Sequence, residues 1–161
     1  MSKKRSIKSP KDSMIEMREM VMPNHTNPQG TIFGGVVMSW VDIAAAMCAS
    51  RHAEKPVVTV HIADIDFKAP IKVGNHVLIK ASLNYVGKTS MIVGVKVESE
   101  NPYTGKSVKT TKAYLTFVAL DEDGQPTVIP DLKPETQDEI RRYENAKKRV
   151  EAKKALSKTL K

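Results

Sequence analysis

The chain has 161 residues, 40% of them hydrophobic, and a formal net charge of +8, which suits one domain with a proper core and charged ends. The charge is concentrated at the ends: residues 1–11 carry five basic groups and no acid, residues 131–161 carry ten basic and six acidic, and the body between carries eleven basic and twelve acidic. A near-neutral body with three Phe and one Trp lacks the basic stripe and stacking aromatics of a nucleic-acid binder, and the lone Cys48 excludes an intrachain disulfide and paired-cysteine metal motifs.

The opening MSKKRSIKSPKDS is basic but has no apolar stretch of the kind a secretory signal needs. Residues 1–12 are therefore expected to form a disordered basic leader, and the protein to be cytoplasmic. MIEMREMVM, from Met14 to Met22, alternates imperfectly and stops at Pro23, compatible with an edge strand. PNHTNPQG is dense in turn formers and reads as a loop. Gly34 and Gly35 then lead into a nearly all-apolar run from Val36 to Ala49, closed by a basic Arg51-His52 pair. The spacing predicts one long helix. Ser39 and Asp42 interrupt its apolar surface, and the run falls short of the roughly 20 residues that cross a bilayer, so no membrane span is expected.

Four strand patterns follow. In VVTVHIADIDF the apolar parity switches near Ile62, which predicts a bulge. VLIKASLNY places Val77, Ile79, Ala81, Leu83 and Tyr85 on one face; SMIVGVKVESE and VKTTKAYLTFVAL repeat the alternation. The short Gly- and Pro-bearing connections between them predict an antiparallel meander. A helix apolar on nearly every side must be covered on nearly every side. A twisted sheet of about five strands curled around it does most of that, and a second subunit is expected to do the rest. The tail PETQDEIRRYENAKKRVEAKKAL puts acids early and bases late, as a helix dipole favours.

The segments MPNHTNPQGTIFGGVVMSWVDIAAAMCASRH, VVTVHIADIDFKAPIKVGN, GKTSM and AYLTFVALDEDGQP, in that order, resemble the hotdog-fold acyl-CoA thioester hydrolases of the YciA and cytosolic brain-type kind. The resemblance spans about Met14 to Pro130. It implies an α+β hotdog domain over residues 13–130, followed by a charged helical tail over 131–161. It also implies active sites at a dimer interface and further assembly, commonly as trimers of dimers. Carried over by position, the helix acid is Asp42, and the loop asparagine that faces it from the other subunit is Asn27. His25 stands where members of the family commonly have Asp.

Thioester hydrolysis requires an activated water or a carboxylate nucleophile, and donors for the developing oxyanion. No G-x-S-x-G elbow is present, and Cys48 has no histidine within a turn. Asp42 is the candidate general base or, through a mixed anhydride, the nucleophile; general base is the preferred role, with Asn27 holding the water or the carbonyl. Gly35 N–H is the candidate oxyanion donor, because a helix start without Cβ atoms brings free amides close to a substrate. The resemblance places Gly87, Lys88, Thr89 and Ser90 near the coenzyme A path; their other reading is a hairpin turn. Trp40 and Met38 either line the acyl pocket or pack the core.

The four histidines, at 25, 52, 61 and 76, show no metal-binding spacing. No metal and no cofactor are expected, coenzyme A being part of the substrate and product. The resulting expectation is an acyl-CoA thioesterase. The alternatives are a hotdog acyl-thioester hydratase or dehydratase, which would want a histidine beside the acid, and a non-catalytic acyl-CoA-binding regulator.

Overall fold

The computed structural model describes residues 4–160. In chain order the elements are β1 (Ile7–Lys8), β2 (Ile15–Met20), α1 (Gly34–Ala53), β3 (Val57–Phe67), β4 (His76–Val86), β5 (Ser90–Glu100), β6 (Ser107–Ala119), β7 (Asp131–Leu132) and α2 (Gln137–Thr159). The main sheet is antiparallel with order β2-β4-β5-β6-β3. Its inward residues, among them Ile79, Leu83, Met91, Val93, Leu115 and Phe117, are buried against α1. The small side chains of Ala44, Ala45, Cys48 and Ala49 are fully buried too, so the helix rides close to the sheet. Trp40 packs in this core, while Met38 is 41% exposed.

The expected helix, N-terminal edge strand and four later strands all form, but the meander is corrected. Only β4, β5 and β6 run as successive neighbours; β3 lies at the far edge beside β6. The eight residues between β3 and β4 carry the chain across the sheet, where a hairpin would have kept the two strands side by side. The bulge expected near Ile62 is present: the β3–β6 register shifts between Thr59 and His61 and again between Ala63 and Asp66. A further register shift between Leu83 and Tyr85 turns Tyr85 away from the face that VLIKASLNY assigned to it. Its ring instead meets Tyr143 of α2, with centroids 5.1 Å apart.

The leader also departs from expectation. Residues 1–3 lie outside the described residues, but from Arg5 onward the segment is tied down. β1 pairs in parallel with β7, and the Lys8 ammonium donates to the carbonyls of Arg51 and His52 at 3.1 and 3.0 Å. A cation there satisfies carbonyls that α1 leaves unpaired at its C-terminus. Arg51 is not that cap; it donates to Met14 O at 2.9 Å. The charged tail forms α2, whose capping box joins Thr136 and Glu139. It lies on the outer face of the sheet, with Ala146 buried. No helix among the described residues is long and apolar enough to cross a membrane.

Candidate active site

Asp42 lies on the one stripe of α1 that the sheet does not cover. Met38, Ile43 and Met47 mark that stripe at helical spacing, 41%, 51% and 39% exposed, with Asp42 half-buried among them. Beside it runs β3. Thr59 pairs with the buried Phe117 and so faces the helix, and its hydroxyl donates to Asp42 Oδ1 at 2.7 Å. One carboxylate oxygen is thereby held, while Oδ2 has no hydrogen-bond partner within the chain among the described residues. Thr59 was not singled out from sequence; the signal was a lone hydroxyl among the apolar residues of VVTVHI. Val58, Val60, Ile62 and Phe67 continue the apolar exposure along this free sheet edge.

Asn27 organises its own loop. Its Oδ1 accepts the backbone N–H groups of Gln29 and Thr31 at 3.0 and 3.2 Å, and Nδ2 lies 3.0 Å from Thr31 Oγ1. Two amide donors on one oxygen fix the orientation of the carboxamide. What Asn27 can offer outward is its remaining N–H, a donor. No hydrogen bond joins Asn27 to Asp42 within the chain.

His25 takes over work that an acidic side chain could do. Its Nδ1 accepts the Met22 N–H at 3.0 Å, closing the short turn Pro23–His25, and its ring stands edge-on to Trp40 at 5.3 Å. The same loop is fastened to the start of α1 by Phe33 N–H donating to His25 O at 2.8 Å.

Gly35 is exposed in the first turn of α1, where a backbone N–H has no carbonyl four residues back inside the helix. A Cβ on Gly35 would stand 2.7 Å from Phe33 Cε1, so any side chain there would have to push the exposed Phe33 ring aside. Gly35 precedes Asp42 by seven residues, about 10 Å along a helix. Its N–H and the carboxylate of the same chain thus belong to turns two apart on the helix.

Gly87–Ser90 closes the β4–β5 hairpin, with Gly87 N–H donating to Ser90 O at 2.8 Å. Arg5 braces the turn by donating to Gly87 O at 2.7 Å. Gly87, Lys88 and Ser90, but not Thr89, line a groove of about 740 Å³ between the outer sheet face and α2. Asp42 does not line it.

Cys48 is no rival nucleophile: it is fully buried, and burial pushes its thiol up to about 12. Among the described residues no three His, Cys, Asp or Glu side chains come together as a metal site.

The family model for the thioesterase superfamily matches residues 29–106. An uncharacterized acyl-CoA thioester hydrolase of Bacillus subtilis, YkhA, is 37% identical over 144 residues, spanning 89% of this chain and 84% of its own length. Among solved structures, an apo-hexameric acyl-CoA thioesterase matches with a TM-score of 0.91 and 39% identity, over 94% of this chain and 97% of that one. The acyl-CoA hydrolase of Staphylococcus aureus, solved with butyryl coenzyme A, coenzyme A and coenzyme A disulfide, matches with a TM-score of 0.87 and 37% identity, over 94% and 92% of the two chains. That protein has also been solved with alanine replacing an aspartate, an asparagine and a threonine.

Proposed function

Because the chain belongs to the hotdog acyl-CoA thioester hydrolase family, we propose that it cleaves acyl-CoA to a free carboxylic acid and coenzyme A at a site shared by two subunits. The observation that carries this reading is the Thr59–Asp42 hydrogen bond. It leaves one carboxylate oxygen free on an uncovered, apolar flank of α1.

In this reading Asp42 Oδ2 is the general base. It takes a proton from water as the water oxygen bonds to the thioester carbon; the C–S bond then breaks and the sulfur leaves as thiolate, which receives that proton. Gly35 N–H and the free N–H of Asn27 stabilise the oxyanion. Since both belong to the loop-and-helix-start unit that is fastened by Phe33 and His25, one subunit supplies the oxyanion donors. The other supplies Asp42 and Thr59.

Apolar exposure along β3 and the α1 stripe supports a dimer formed through that edge. The hexameric assembly of a structural relative supports a trimer of such dimers. Gly87, Lys88 and Ser90 line the groove assigned here to coenzyme A, with Thr89 beside them in the turn. A buried free cysteine supports a cytoplasmic setting. The partner of Asp42 is a threonine hydroxyl and not a histidine, which disfavours the hydratase reading.

The test is thiol release from a panel of acyl-CoAs of increasing chain length, with the parent beside Asp42→Ala and Asn27→Ala. The expected result is turnover by the parent and a loss of at least about 10²-fold in kcat for each variant. Tight acyl-CoA binding without thiol release by the parent would establish the regulator instead.

A further inference from the structure

The chain folds one small turn twice. At Ser9–Asp12 the Ser9 N–H donates to Asp12 Oδ2 at 2.8 Å, and the Asp12 N–H donates to Ser9 O at 3.0 Å. At Met22–His25 the Met22 N–H donates to His25 Nδ1 at 3.0 Å, and the His25 N–H donates to Met22 O at 2.9 Å. Each turn has proline at its second position. Only the acceptor differs, a carboxylate in the first and an imidazole in the second. The bond from Ser9 holds the Asp12 carboxyl below the usual carboxylate range, so the first turn keeps its acceptor well into acid. The second cannot. A backbone N–H only donates, so Nδ1 of His25 is the unprotonated ring nitrogen, and a proton there would set two donors against each other.

The second turn leads into the proposed site. His25 O accepts the Phe33 N–H at 2.8 Å ahead of α1, and the ring stands edge-on to Trp40 of that helix. Two residues on, Asn27 spends its carbonyl oxygen on Gln29 and Thr31, so the direction of its remaining N–H follows the loop as a whole. The charged residues on the elements that meet the loop are Glu19 at the end of β2, Asp42 on α1, and Lys68 and Lys72 in the β3–β4 connection, where Thr31 pairs with Lys72 and Ile32 N–H donates to Ile71 O. None forms an ion pair with the imidazole among the described residues.

We propose that His25 is a positioning residue of the thioesterase: its unprotonated Nδ1 closes the turn that presents Asn27 to the substrate, and a proton taken up there releases the oxyanion donor. This rests on the acyl-CoA reading above. It places turnover under the control of a proton on a residue that acts through Asn27.

The experiment compares the parent with His25→Asp, which rebuilds the Ser9–Asp12 arrangement, and with His25→Ala, which has no acceptor. At pH 8, His25→Ala loses about tenfold or more in kcat at nearly constant KM, while His25→Asp stays within about threefold of the parent. From pH 8 to pH 5.5, across the range in which imidazoles titrate, kcat of the parent falls about fivefold or more relative to His25→Asp. Asp42 and His52 are present in both chains, so their protonation cancels in that ratio. Trp40 is the only tryptophan; its emission, read without substrate, changes over the same range in the parent and not in His25→Asp. A pH-independent ratio, or emission that changes alike in both, overturns the proton control. A loss in His25→Asp as large as in His25→Ala overturns the role of the acceptor. In both cases the thioesterase stands, whereas a parent that cleaves no acyl-CoA overturns it together with the role of His25.

Discussion

Thr59 Oγ1 and Asp42 Oδ1 are 2.7 Å apart, a hydroxyl of the edge strand joined to the only acidic group on the central helix. A hydrogen bond to a charged group contributes about 1.5–3 kcal/mol, enough to fix which carboxylate oxygen faces a substrate. Thr59→Val should therefore lower kcat by about 10- to 10²-fold at nearly constant KM. Thr59→Ser should retain most activity. Steady-state kinetics of the two variants check this; equal losses in both would mean that the methyl group matters and the hydroxyl does not.

If Asp42 and Asn27 of opposite subunits share a site, inactive variants should complement one another. Co-expressing Asp42→Ala and Asn27→Ala chains in equal amounts should restore about one quarter of parent activity, because half of the dimers are hybrid and each has one intact site. Self-contained sites would leave the mixture as inactive as its components.

The exposed apolar stripe predicts where the dimer breaks. Ile43→Asp and Ile62→Lys place charges on α1 and β3 at positions 51% and 37% exposed in the single chain. Both should shift sedimentation toward single chains and abolish thioester cleavage. A control charge at Ile140, 46% exposed on α2, should leave the assembly intact. Variants that remain fully assembled would move the interface elsewhere.

His52 gives the fold an acid-sensitive point. Its ring is fully buried; Nε2–H donates to Pro130 O at 2.9 Å and Nδ1 has no partner among the described residues. Burial lowers its pKa below the ordinary 6.5. The unfolded chain thus takes up a proton that the folded chain refuses, and stability present above about pH 6.5 is lost as pH falls toward the folded value. Chemical denaturation at pH 7.5 and pH 5 should show that loss. His52→Gln, which keeps an amide donor for Pro130, should reduce it; an unchanged pH slope would assign the acid sensitivity to other groups.

Sequence alone determined the elements and the chemistry at hand. Alternation in SMIVGVKVESE and the all-round apolar run after Gly34-Gly35 report on local geometry, which periodicity records directly. The lone acid in that run stood out because burying it alone is costly. Tertiary structure decided what each face meets. That β3 pairs with β6, that Thr59 reaches Asp42, and that a register shift turns Tyr85 toward Tyr143 all depend on contacts between segments far apart in the chain. The binding of Lys8 to the end of α1 and the closing of a groove by α2 are decided the same way. Spacing along a strand or helix fixes the direction of a side chain, but its neighbour is set by long-range pairing, which leaves no period in the sequence to read.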